Sequence, residues 1–307
     1  MTPDPAPRLP ALLGAREWQE CEQAHIERAD ALTAARRARA SHGRTHPVDD
    51  FLFTYYSYKP AVLRRWHPGP GVALADAAAT PRATWRWYSP GVADGSLVVD
   101  AAAFASEKRA LLANIGGIVR ATARRAPGFD CFGLHEWAMV YRAPAHRHDI
   151  PLRLGQRGTD DVVEAHDLRC THFDAYRFFT ADAAPRNRSP LTRQTQSSRE
   201  QPGCLHAGMD LYKWAVKLGP LVPGDLLLDA FVHARAIRDL DMEASPYDLR
   251  EWGVLPVAIE TPEGKAEYVR RQRALAARGQ ILRTRLLEII DATGSAGARA
   301  ALAREQD

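Results

Sequence analysis

The chain has 307 residues, 46% of them apolar and 25% charged, an ordinary soluble composition with enough length for a substantial core. Its formal net charge of +4 permits a phosphate-rich partner without demanding one, because nucleic-acid binders are marked by clustered Lys and Arg rather than by net charge. No apolar run is long enough for a signal peptide or a membrane span, and the four cysteines, Cys21, Cys131, Cys170 and Cys204, form no CxxC pair, which argues against a disulfide framework or a four-cysteine zinc site.

Residues 1–14 read as a loose, Pro-rich leader. Residues 15–41 read as a helix, with Trp18, Cys21, His25 and Leu32 at helical spacing and Arg36, Arg37 and Arg39 near the C-terminal end that favours positive charge. In residues 46–66, Pro47, Asp49 and Asp50 suit a first helical turn. Phe51, Phe53, Tyr55, Tyr56 and Tyr58 then make either an aromatic core helix or a wall on which a flat ligand stacks. Residues 69–100 are rich in Gly, Pro and Ala, with a short strand expected at residues 85–88. Residues 100–125 form an amphipathic helix with Phe104, Leu111, Ile115, Ile118 and Val119 on one side. Residues 143–162 look like a surface connection. Residues 181–202, with Arg186, Arg188, Arg193 and Arg199 among Ser, Thr, Asn and Gln, suit a phosphate-binding loop or an ordinary surface loop.

Residues 201–248 set many polar groups among apolar ones, which fits a paired internal network or the wall of a site. Within them residues 222–242 form a helix that is apolar nearly all round and so largely buried, with Arg238 and Asp241 spaced to pair. Thr261 and Pro262 start a last helix in which Tyr268, Leu275, Leu282 and Ile289 recur every seven residues, ending near Gly294. The expected architecture is predominantly α with a small β element: a single compact multi-helix domain over residues 15–294, followed by a frayed tail at 295–307.

Two segments place reactive groups inside apolar runs. FGLHEWAMVYR (132–142) sets His135 beside Glu136. LRCTHFDAYRFFT (168–180) carries His172, Asp174, Tyr176 and Arg177; as a strand it would put His172, Asp174 and Tyr176 on one face, lining a pocket or forming an internal network. Asp229 and His233, four apart on a buried helix, have metal-ligand spacing, and with His135 and Glu136 they make an iron or manganese centre conceivable. GxxxxGK(S/T), GxGxxG, GxSxG and HxE…PCxxC motifs are missing from the sequence.

The segments HPVDDFLFTYYSYKP, GLHEWAMVYR, CTHFDAYRFFT, QPGCLHAGMDLYKWAVKL and RDLDMEASPYDL together resemble a bacterial family commonly labelled 3-methyladenine DNA glycosylase, from about His46 to the C-terminal helix. The Gly-rich hairpin and catalytic Asp of the helix-hairpin-helix glycosylases have no counterpart, so no catalytic residue carries over from them. The resemblance implies hydrolysis of the N-glycosidic bond of alkylated purines in DNA. The cysteine usage suits a reducing cytoplasm, and no cofactor, membrane association or obligate protein partner is expected. Chemistry then suggests roles. Tyr55, Tyr56, Trp137, Tyr176 and Trp214 offer faces to a cationic base, with His206 and Tyr212 beside them. Glu136 or Asp174 would orient water or stabilise the sugar cation, tuned by His135 or His172. Arg177, Arg193, Lys213 and Lys217 would hold phosphates. The alternatives are a metal-dependent oxidase or hydrolase of a small molecule, with iron or manganese on His135, Glu136, Asp229 and His233, and a non-catalytic DNA-binding protein.

Overall fold

A helical hairpin and one very long helix carry the core. In the computed structural model, which describes residues 11–145 and 149–304, the hairpin is α10 (Leu205–Leu218) and α11 (Gly224–Glu243), joined through Gly219 at φ 55°. The long helix is α12 (Pro262–Arg304). Helix α11 is buried almost all round, as its composition demands: Leu226, Leu228, Ala230, Phe231, Ala234, Ile237 and Leu240 are all inaccessible or nearly so. Helix α12 lies along α10 and α11 through Tyr268, Leu282 and Leu286, with Leu275 and Ile289 half-buried. It runs on through the expected stop at Gly294, because one glycine costs a helix only about 1 kcal/mol and the residues that follow are mostly Ala and Arg, strong helix formers.

The other helices close around this frame. They are α1 (Ala15–Ser41), α2 (Phe51–Tyr55), α3 (Pro60–Arg64), α4 (Ala101–Glu107), α5 (Arg109–Ala123), α6 (Leu134–Ala138), α7 (Gly155–Glu164), α8 (Phe173–Tyr176) and α9 (Gln196–Arg199). Four three-residue strands, β1 (Ala11–Leu13), β2 (Val72–Leu74), β3 (Tyr88–Pro90) and β4 (Leu97–Val99), form a sheet of order β1-β2-β4-β3. β1 is parallel to β2 with Leu13 opposite Leu74, and the other pairs are antiparallel. The result is predominantly α with a small β element, in one compact domain. No helix among the described residues is long and apolar enough to cross a membrane, and all four cysteines are free.

Local expectations shift in four places. Ala11–Leu13, expected within the leader, gain a partner strand; residues 1–10 and 305–307 lie outside the described residues. The strand expected at 85–88 begins only at Tyr88, because Trp87 takes φ 70° and turns the chain into it. The expected surface connection at 143–162 contains most of α7, which buries Thr159, Val162 and Val163. The aromatic segment at 51–58 is a helix of five residues, broken by Ser57 at φ 57°.

One clamp sets the site. Gln201 Oε1 accepts from both the Gly128 and Gly203 N–H groups at 2.7 Å, pinning the chain before α6 to the start of α10. A Cβ on Gly203 would sit 2.2 Å from the Gly128 carbonyl oxygen, so the two backbones touch. Gly203→Ala should therefore destabilise the protein by about 1–3 kcal/mol in urea denaturation, through forced separation of these segments.

Candidate active site

A cleft of about 1760 Å³ opens between α2, α6, α8 and α10. Glu136, His206 and Arg238 face into it, together with Asp174 and Lys213; Phe51, Tyr55, Tyr56, Tyr58 and Trp214 supply aromatic surface, and Arg142, Arg177, Arg193 and Lys217 supply further positive charge. The aromatic side is ordered by stacking. Phe51 and Tyr55 lie parallel within 11° at 5.0 Å, Tyr56 and Tyr58 within 17° at 6.1 Å. Trp214 has Lys213 Nζ 4.2 Å and Lys217 Nζ 5.5 Å from its ring centre.

Two buried networks stand behind the cleft wall. In the first, Asp210 is the hub. Its Oδ1 accepts from the Tyr56 hydroxyl at 2.8 Å, and its Oδ2 meets Lys213 Nζ and lies 3.2 Å from His172 Nε2. Glu200 Oε1 lies 3.3 Å from the same His172 nitrogen. Asp174 faces the cleft beside this hub, accepting from Arg193 Nη2 at 2.8 Å, with Lys213 Nζ at 3.6 Å. In the second, Asp241 is the hub. His135 Nε2 lies 2.8 Å from its Oδ1, and Arg238 Nη1 donates both to its Oδ2 at 3.1 Å and to Glu136 Oε1 at 3.2 Å. His206 lies between the networks, its ring edge-on to His135 at 4.5 Å and tilted toward His172 at 5.4 Å.

These arrangements separate the proton affinities of neighbouring carboxyls. Burial pushes Glu136 up, and the Asp241 charge adds to it. Burial would also raise Asp241, but the His135 charge and hydrogen bond hold it well below the carboxylate range. The same split occurs in the other network, where burial raises Glu200, whereas Lys213 and His172 overcome burial to keep Asp210 low. His135 and His172 lose to burial but gain more from their carboxylates, and both are raised. His206 has burial and then the His135 charge against protonation, so its imidazole is held neutral. Neighbouring groups with proton affinities driven apart are the usual mark of acid–base assignment.

No family model, curated protein or solved structure matches this chain.

The structure brings Glu136, Asp174, His206, Tyr55, Tyr56, Trp214, Arg177, Arg193, Lys213 and Lys217 onto one cleft. It places His135 and His172 just behind that cleft, as partners of Asp241 and Asp210. Three of the expected base-binding residues are displaced. Trp137 is fully buried and donates its indole N–H to Ala244 O at 2.8 Å; it follows Glu136 on a helix, so it points roughly 100° away. Tyr212 is fully buried behind Tyr56 and Tyr58. Tyr176 packs on Phe179 and donates to Ala184 O at 3.4 Å. The strand expected around His172 turns helical at Phe173, so His172 caps α8 and no His172/Asp174/Tyr176 face forms.

The metal set built on Asp229 and His233 does not assemble. Asp229 leaves the helix outward to Arg28 at 2.8 Å and Arg285 at 3.6 Å, and His233 is sealed in the core. Among the described residues, two other groups have ligand atoms within 4.8 Å of one another: His135, Glu136, His206 and Asp241, and separately His172, Glu200 and Asp210. In each group carboxylate oxygens already contact a resident cation, Arg238 or Lys213, which a divalent ion would have to displace. Glu200 escaped sequence reasoning because SSREQP surrounds it with polar residues, which gives no sign of its complete burial.

Proposed function

We propose that this protein hydrolyses the N-glycosidic bond of alkylated purines in DNA. The observation that carries the reading is the pairing of a carboxyl whose proton affinity is raised by burial, Glu136, with a neutral imidazole, His206, on one aromatic, basic cleft. The motifs that resemble the 3-methyladenine DNA glycosylase family contribute most of these residues. In this reading a flipped nucleotide enters the cleft and its base lies against Tyr55 and Tyr56. The C1′–N bond breaks with positive charge developing on the sugar, which the Asp174 carboxylate faces. Glu136 hydrogen-bonds the departing purine, and for an uncharged alkylated base it supplies the proton that leaves with it. His206 takes a proton from the water whose oxygen bonds to C1′. Arg177, Arg193 and Lys217 hold the flanking phosphates. The enzyme works in the cytoplasm with no cofactor or obligate protein partner.

The test is release of free base from a methylated duplex, followed chromatographically with no metal added; failure of the wild-type protein to release base overturns the reading. Phosphate contact has its own signature. Lys217→Gln should weaken duplex binding at every sequence and reduce the slope of log affinity against log salt by about 0.9, measured by fluorescence anisotropy.

A further inference from the structure

The segment that leads into α6 carries a second set of groups with the geometry of nucleophilic catalysis. Cys131 Sγ lies 3.7 Å from His135 Nδ1, and the other nitrogen of that ring lies 2.8 Å from Asp241 Oδ1. Nucleophile, base and orienting carboxylate thus follow one another through a single imidazole. The chain bends to achieve this. Phe132 takes φ 49° and Gly133 φ 74°, consecutive left-handed residues that fold Cys131 back over the first turn of α6. A bulky aromatic residue avoids that conformation unless its surroundings impose it. Here they do: a Cβ on Gly133 would lie 3.2 Å from Ala244 and 3.4 Å from Tyr268, so the turn is wedged between α11 and α12.

We propose that Cys131, His135 and Asp241 form a nucleophilic triad that hydrolyses small activated acyl esters by way of a Cys131 thioester. Cys131 is half-buried and does not line the large cleft, so the proposed acyl site lies outside the surface assigned to DNA. The other nearby thiols do not compete. Burial pushes the thiols of Cys170 and Cys204 up, Cys204 to about 12. Acyl transfer is the class that uses all three members. The His135 imidazolium, stabilised by the Asp241 carboxylate, holds the proton at Nδ1, and Sγ attacks the carbonyl carbon as the thiolate of that pair. The C–O bond breaks and the same proton leaves on the departing alcohol. Water then attacks the thioester carbonyl, the C–S bond breaks, one water proton returns to sulfur through His135, and the acid is released. The balance is ester and water to acid and alcohol, and it is independent of base release from DNA.

Cys21, exposed on α1, is an internal control within the same molecule. The full-length protein is exposed briefly to p-nitrophenyl acetate at neutral pH, quenched in acid, and the acetyl group is located by peptide mass spectrometry. The triad gives acetylation of Cys131 faster than Cys21 by a factor on the order of 10². It also gives a burst of nitrophenolate that Cys131→Ala abolishes and Cys21→Ser retains, and His135→Gln brings Cys131 down to the rate of Cys21. Equal labelling of the two cysteines in the wild-type protein, which needs no variant to fold, overturns the proposal, as does a burst that survives Cys131→Ala.

Discussion

Asp210→Ala should destabilise the protein by about 3–5 kcal/mol, the cost of leaving buried cations without their counter-ion. Asp210 is 2% exposed and is the common acceptor for Tyr56, His172 and Lys213, so its removal strands the hydroxyl and leaves His172 only Glu200 at 3.3 Å and Lys213 only Asp174 at 3.6 Å. The effect depends on pH in a definite direction. Asp210 is held below its ordinary range by Lys213 and His172 against burial, so its contribution is complete above the unfolded carboxylate value of about 3.9 and fades as pH falls toward the folded value. His172 is raised in the folded state, so its contribution is complete below the unfolded histidine value of about 6.5 and fades as pH climbs through the folded value. Urea midpoints between about pH 2 and pH 4 should rise steeply for the wild type and more shallowly for Asp210→Asn. A parallel pair of curves would show that Asp210 is not the hub.

Glu136→Gln should lower the rate of release of an uncharged alkylated base, which must leave with a proton, by about 10²–10⁴, the usual worth of a positioned acid or base. Gln keeps an oxygen for Arg238 Nη1, now 3.2 Å from Glu136 Oε1, so the loss should come with a midpoint close to wild type. The wild-type rate should have two limbs. Protonated Glu136 is required below its raised value, and neutral His206 above its lowered value, so activity is bell-shaped between them and Glu136→Gln removes the alkaline limb. A thermal melt beside the single-turnover rate separates this outcome from unfolding.

How much of this was readable in the sequence follows from what each pattern specifies. The seven-residue recurrence of Tyr268, Leu275, Leu282 and Ile289 specifies one side of a helix, and that side packs on the body of the protein. The all-round apolar character of α11 specifies burial, and α11 is buried. The pairing of Arg238 with Asp241 follows from three-residue spacing on a helix. Spacing says nothing of depth, however. Asp229 and His233 are one turn apart, yet one meets surface arginines and the other the core. Nor does adjacency give direction, since Glu136 enters the cleft and Trp137 turns away from it. The site itself is assembled from contacts across long stretches of chain. His135 meets Asp241 106 residues later, and His172 meets Asp210 38 residues later. No local pattern encodes those distances, so the residue types could be named in advance while their partners could not.

The most direct measurement is the release of an uncharged alkylated purine from duplex DNA in the presence of a chelator, with wild type and Glu136→Gln side by side. Acid–base hydrolysis on this cleft requires release by the wild-type protein and loss of about 10² or more in the variant. No release by wild type, or equal rates for the two proteins, would contradict it.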